Sequence, residues 1–450
     1  MKKYFLALSI FISVPLLAQE AKRESISLTV YNNNLGVVRD VRLFDLAKGM
    51  GEIRLIDVPV QIDATTVKIS SPKHPNGVEV LEQNFEYDLV SQEKLLEKYI
   101  DKQITLTDDK GIRSEGTLLA AQNGQITLSA SNGIVMFPNT NLYKISVPTL
   151  SEGLITRPTL VWMINANSSL RAEPLEVLYQ TTGISWHAEY IAALADDDKS
   201  LDLTGWVSID NTSGATFENA KLKLVAGALH RAANSIAGDV ITRNSMYGAA
   251  KIAPQFEESG LFEYHLYDLG RSTTIKNNEV KQVSLLEADK VRSDKIYTYR
   301  GGRNAEVSIK FENTEKNNMG MPLPEGIVRV MKKGKDGAYE FVGEDRIQHT
   351  PRDEKITLKV GDAFDLLGER SVTESQSSDH SSRQTVQITL KNRKDEDVTI
   401  DAVETMGFGN WEITKKTMDY EKKNANEIIF HVPVKARSEQ KIEYTINRTW

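Results

Sequence analysis

A chain of 450 residues is long enough for two to four domains, each burying its own core. It is 40% hydrophobic and 26% charged, a globular composition, and it has no cysteine, which excludes disulfides, thiolate-bound metals, iron–sulfur clusters and a thiol nucleophile. A net charge of −7 argues against affinity gained by neutralising phosphates, so no nucleic acid partner is expected.

Residues 1–18 carry the three parts of a secretory signal: Lys2 and Lys3, an apolar run from Tyr4 to Leu17, and Ala18 ahead of the polar Gln19, Glu20, Ala21 and Lys22. The run is shorter than the ~20 residues that span hydrocarbon and contains Pro15, which favours a cleaved signal over an anchor. Cleavage after Ala18 removes two lysines and no acid, shifting the net charge to −9. No later window offers a long uncharged apolar run, so no membrane-spanning segment is expected after cleavage. The expected location is the periplasm, the outer-membrane surface or the exterior.

Residues 19–90 read as a small antiparallel β domain. Ile26, Leu28 and Val30 alternate within Ser25 to Tyr31; Val41, Leu43 and Phe44 precede a Lys48-Gly49 turn and a strand from Glu52 to Val58. Val67 to Ile69 and Val78 to Leu81 flank the turn cluster Pro72 to Gly77. Over 91–150 the pattern predicts a short helix capped by Ser91, with Leu95, Leu96, Tyr99 and Ile100 on one side. Four short strands follow, Ile104 to Thr107, Gly116 to Ala120, Gln125 to Ser129 and Ile134 to Phe137, joined by turns that include Asn123-Gly124 and Asn132-Gly133. A small inserted β-barrel is expected here, because closure removes exposed edges.

Residues 151–300 are expected to form a central β-sandwich. Its strands lie within Thr159 to Ala226, and a mobile loop is expected over 228–260, where periodicity lapses. Residues 301–450 are expected to form a C-terminal immunoglobulin-like sandwich, most clearly at Gln384 to Lys391 and Val398 to Val403. The fold class is all-β, with several antiparallel sandwich or barrel domains.

The central segment resembles a known bacterial family. Tyr179-Gln-Thr-Thr-Gly-Ile-Ser185-Trp186-His187-Ala-Glu189-Tyr190, Trp206-Val-Ser-Ile-Asp210-Asn211-Thr212-Ser213-Gly214 and Asn219-Ala220-Lys221-Leu222 carry the likeness. Glu263-Tyr264-His265-Leu266-Tyr267, Lys281 to Leu285, Pro322-Leu323-Pro324-Glu325-Gly326 and Gly361 to Asp365 extend it. Together they resemble the mucoidy-inhibitor-like proteins, a domain of unknown function, with its usual N-terminal partner module. Phe217 stands where that family's pattern has tryptophan, and the barrel expected at about 101–148 takes the place of the long coiled-coil helices of many relatives. The resemblance implies a β architecture and no particular chemistry.

No nucleophile elbow, zinc-protease helix, phosphate loop, dinucleotide fingerprint or EF-hand loop is present. On the strand Ile184 to Ile191, His187 and Glu189 share the face opposite Trp186, Ala188 and Tyr190, so they are weak candidates for an acid/base pair or metal ligands; the same alternation fits a solvated face. Trp206 lies among Thr204 and Ser208 on a polar face, where it would stack on a sugar ring or partner unless a neighbouring element covers it. Asp196 to Asp198 with Asp202 fits a charged hairpin better than a calcium site. Trp450 fits the end of a sandwich strand better than a membrane barrel's terminal aromatic. No cofactor or metal is expected.

The sequence therefore leads to an exported envelope protein that binds or scaffolds an envelope protein or glycan, with enzymatic activity undecided and a polysaccharide hydrolase as the alternative. Its oligomeric state is not specified. N-terminal sequencing of the protein recovered from the envelope is expected to start at Gln19 or within a few residues of it; an intact Met1 in that fraction refutes cleavage.

Overall fold

The structure, a computed structural model, describes residues 21–227, 256–261, 264–407 and 409–450. The expected signal at 1–18 and residues 228–255 of the expected loop lie outside them. The chain opens with β1 (Lys22–Tyr31), β2 (Leu35–Leu46), β3 (Gly49–Ile56), β4 (Ile62–Ser70) and β5 (Val78–Glu86). Next come α1 (Gln92–Lys98), β6 (Gln103–Thr107), β7 (Arg113–Gln122), β8 (Gln125–Ala130), β9 (Gly133–Phe137) and β10 (Lys144–Ser146). The middle of the chain holds β11 (Thr159–Ala166), β12 (Leu170–Thr181), β13 (Ile184–Leu194), β14 (Ser200–Asn211), β15 (Phe217–Ala226), β16 (Glu257–Leu261), β17 (Tyr264–Ile275) and β18 (Glu279–Tyr299). Then follow β19 (Asn304–Glu312), β20 (Gly326–Lys333), β21 (Tyr339–Ile347), β22 (Lys355–Ser377), β23 (Ser381–Asn392), β24 (Val398–Thr405), β25 (Asn410–Lys416), β26 (Glu421–Asn424), β27 (Glu427–Val434) and β28 (Glu439–Thr449). The protein is thus mostly β-strand, divided among several sheets.

Pairing does not follow chain order. A seven-stranded sheet has the order β16-β17-β15-β1-β2-β12-β4, and β11 sits between β3 and β5 in a three-stranded one. The strands β21-β20-β13-β14-β18 lead through β19 and β22 to β23, β28 and β25, with β24, β26 and β27 alongside. Strands from residues 22–70 and from 159–358 fill one core, in which Leu28, Trp162, Trp186, Tyr190 and Leu285 are almost wholly buried. A second core gathers Tyr299, Leu366, Ile388, Ile400, Phe430 and Tyr444. Pairing is mainly antiparallel, but β1 with β15, β13 with β20 and β18 with β24 are parallel, which corrects the purely antiparallel expectation.

Residues 92–147 have a separate core of Leu96, Tyr99, Ile104, Leu106, Leu118, Ile126, Leu128 and Phe137. The four expected strands are present, and Asn123 (φ 51°) and Gly124 (φ 73°) form the left-handed pair of a type I′ hairpin turn. The barrel is not. The sheet is open, in the order β10-β6-β7-β8-β9: the three-residue β10 pairs with β6 and not with β9, and Leu96 and Tyr99 of the helix region join the small core. The expected loop is also shorter than its range: Glu257 to Gly260 pair with β17.

Several side chains of the central segment are buried joints. Trp186 donates its indole N–H to the carbonyl of Val225 (3.2 Å) and meets the Tyr267 ring edge-on at 6.2 Å. The hydroxyls of Tyr190 and Tyr267 donate to the carbonyls of Pro324 (2.8 Å) and Pro322 (3.1 Å), pinning the segment that leads into β20. Gly326 is required by this approach, since a Cβ there would stand 2.3 Å from the Ala188 carbonyl oxygen.

A buried ion cluster joins two of the sheets. Asp40, fully buried on β2, accepts from Arg42 Nε and Nη2 (3.1 and 2.9 Å) and from Arg23 Nε and Nη2 (3.3 and 3.2 Å), while Arg42 Nη1 reaches the Ile56 carbonyl at 2.9 Å. Removing one partner of such a pair leaves an uncompensated buried charge, a loss of about 3–5 kcal/mol. Asp40→Asn is therefore expected to lower stability by about that amount in urea unfolding, with β1, β2 and β3 most affected. A loss under about 1 kcal/mol would mean that the cluster is already wet.

Candidate functional site

The outward face of β13, β14, β18 and β20 brings together the residues singled out from sequence. On β13 the alternation buries Trp186, Ala188 and Tyr190 and turns His187 and Glu189 outward. On β14, Leu203, Val207 and Ile209 are buried and Trp206 stands on the other face, partly exposed. Strand register places Glu189 directly opposite Trp206 and His187 opposite Ser208. Trp206 is opposite Ser284 of β18 across a bulge at Gly205/Trp206, and Ser208 is opposite Gln282. On the other side, Ile191 is opposite Arg329 of β20, which is itself opposite Glu344 of β21.

Both Glu189 oxygens are occupied. Ser208 Oγ donates to Oε2 at 3.0 Å, Gln282 Nε2 donates to Ser208 Oγ at 3.1 Å and lies 3.4 Å from the same Oε2, and Arg329 Nη1 donates to Oε1 at 3.2 Å. Arg329 Nε also faces Glu344 at 3.5 Å. His187 is exposed, and among the described residues neither its ring nor the Trp206 indole N–H forms a hydrogen bond. His187 and Glu189 thus share a face without meeting. The arrangement is a hydrogen-bonded polar frame beside a partly open indole, capable of stacking and hydrogen bonding.

Three of the four aspartates of the 196–202 hairpin have side-chain partners. Asp197 accepts from the Lys199 N–H at 3.0 Å, Asp202 from the Lys290 N–H at 2.8 Å, and Asp198 is clamped between the ammonium groups of Lys295 and Lys332. Burial raises the Asp198 pKa, but the two lysines outweigh it and hold the carboxyl below its usual value. Among the described residues no group of three His, Asp or Glu is placed to hold a metal. Trp450 is 59% exposed just beyond β28.

Three other groupings were not legible in the sequence. Ser71, His74 and Glu173 meet across 102 positions: Ser71 Oγ and His74 Nδ1 both point at the buried Glu173 carboxylate, His74 at 3.1 Å from each oxygen. The Ser71 hydroxyl and the His74 ring both bond to the acid, and Ser71 Oγ accepts only the backbone N–H of His74 (2.9 Å), so the ring is not placed to take the hydroxyl proton. His431 lies between Asp401 (2.7 Å) and Glu421 (3.2 Å), one at each ring nitrogen, and these carboxylates raise its pKa. A cleft of about 910 Å³ opens where β18 and β19 leave the larger core; its Arg352–Glu315 and Lys355–Glu312 pairs compensate charge within the lining.

No family model matches the chain, and no curated protein matches it. Among the described residues, no helix is long and apolar enough to cross a membrane.

Burial pushes the Glu173 pKa up, but hydrogen bonds from Ser71 and His74 bring it below the ordinary 4.5. A carboxylate depressed in the folded state contributes stability above its unfolded pKa and loses it as pH falls through the folded one. Urea unfolding is therefore expected to show stability declining below pH about 4.5. Glu173→Gln should flatten that part of the profile; an unchanged acid slope would remove Glu173 as a contributor.

Proposed function

We propose that this is an exported cell-envelope protein that binds or scaffolds rather than catalyses, and that the face around Trp206 makes the contact. In this reading the chain belongs to the mucoidy-inhibitor-like proteins, and the strands around the second core form an immunoglobulin-like sandwich. The observation that carries the proposal is the occupation of Glu189: its oxygens are committed to Arg329, Ser208 and Gln282, which places a polar frame beside an indole whose N–H has no hydrogen-bond partner among the described residues. Aromatic side chains framed by satisfied polar groups suit a sugar ring or a protein side chain, because the frame is already ordered before contact. The partner is an envelope protein or glycan.

The test is complementation of a strain lacking the protein, together with binding of solubilised envelope glycans and proteins to the purified chain. Trp206→Ala is expected to weaken the contact at least about thirtyfold, the effect of losing an anchor worth ~2 kcal/mol, and to fail in complementation. His187→Ala is expected to behave as wild type. If His187→Ala abolishes complementation while the protein stays folded and abundant, the binding reading fails in favour of a polysaccharide hydrolase.

A further inference from the structure

From Gly116 to Tyr143 the chain runs for 28 residues without one Asp, Glu, Lys or Arg, although 26% of all residues are charged. This stretch supplies most of β7, all of β8 and β9, and the turn after them. It ends the five-stranded sheet on one side, since β9 pairs with β8 and, among the described residues, with no strand on its other edge. The remaining strands that end a sheet order, β3, β4, β5, β10, β16, β21 and β25, each carry at least one charged residue. Charge on an edge is what keeps sheets from adding foreign strands. In β9, Gly-Ile-Val-Met-Phe, that protection is missing.

The side chains strengthen the contrast. Val135 and Phe137 turn toward the small core, while Ile134 and Met136 stand on the opposite face, 71% and 68% exposed. Their neighbours across β8 are Ser129 and Thr127, too short to cover them. Two adjacent large apolar side chains on an uncharged free edge suit an incoming strand that is itself short, uncharged and apolar at alternate positions. Among the edge strands named above, β9 is the one that has this character.

We propose that β9 is a self-association edge: two copies of this chain pair antiparallel through Gly133–Phe137 about a two-fold axis at Val135. In this register Ile134 of each copy faces Met136 of the other, and Val135 faces itself. The two open sheets become one ten-stranded sheet, and the four exposed apolar side chains cover one another. Charge allows the approach. Residues 92–147 hold six acidic and six basic residues, so two copies meet through a neutral unit although the whole chain is acidic. An edge of five residues is small beside the roughly 1,200–2,000 Å² of a stable interface, so the dimer is concentration-dependent and exchanges readily.

The register gives the test. Sedimentation of the full chain at concentrations up to about 1 mM is expected to show a monomer–dimer equilibrium. The variant Ile134→Lys/Met136→Lys places like charges directly opposite each other twice and should weaken the dimer at least tenfold; both sites are exposed, so folding is spared. Ile134→Lys/Met136→Glu places opposite charges in the same two positions and should restore it. Because the chain has no cysteine, Val135→Cys creates a single thiol per copy, and opposed strand residues lie within disulfide reach; mild oxidation should yield a covalent dimer. A protein that stays monomeric throughout and gives no crosslink overturns the proposal. So does a dimer that survives the double lysine variant, or a crosslink that forms only when Ile145→Cys on β10 is added.

Discussion

One parallel pairing determines how the larger core is assembled. β1 lies between β2 and β15, with Leu28 beside Leu222, 194 positions later. Parallel neighbours always need a crossover, but here the crossover contains thirteen strands, a helix and a complete small core. Until β15 arrives, one side of β1 has no partner for its backbone N–H and C=O groups, and Ile26, Leu28 and Val30 lack the facing side chains that bury them. The first strands are therefore stable only as part of a sheet completed much later, a topology whose loop-closure entropy must be offset by non-local contacts. The buried Asp40 cluster belongs to the same constraint. It sits on β2, beside β1, and its bond to the Ile56 carbonyl ties the three-stranded sheet to the seven-stranded one.

The face around Trp206 depends on that core. β13 continues directly from β12, and burial of Trp186 and Tyr190 against Val225, Tyr267 and the Pro322–Pro324 segment fixes which side of β13 points outward. A slip of one residue would bury His187 and Glu189 and expose both aromatics, so the core specifies the outer face through the period of the strand. Gly205 adds a local requirement: a Cβ there would stand 3.1 Å from the Tyr190 ring. The polar frame is thus a consequence of packing on the other side of the same two strands.

Much of this was legible residue by residue. The strands Ile184–Leu194 and Ser200–Asn211 follow from alternation, and the positions of His187, Glu189 and Trp206 on one face follow with them. Ser91 caps α1 by accepting from the Lys94 N–H, as its place before the helical stretch suggests. Pairing was not legible, because period-2 alternation says which face a residue takes and nothing about the neighbouring strand. The barrel expectation failed for that reason: closure depends on where β10 pairs, and three residues carry too little pattern to show it. On β2 the core side holds Val38 and Phe44 together with the compensated charges Asp40 and Arg42, so apolar alternation alone does not mark that side. The Ser71–His74–Glu173 cluster could not be seen either, since its members lie on different elements and carry no motif.

Residues 22–70 and 159–358 form one cooperative unit, with residues 92–147 separate. Native-state hydrogen exchange as a function of denaturant tests it directly. The amides of Ile26 to Val30 on β1 should open with the same free energy and denaturant dependence as those of Leu222 to Val225 on β15, while amides of β7 and β8 open with a different pair of values. If β1 and β2 open together at a distinctly lower free energy than β15, the early strands are a separate domain and the account is contradicted.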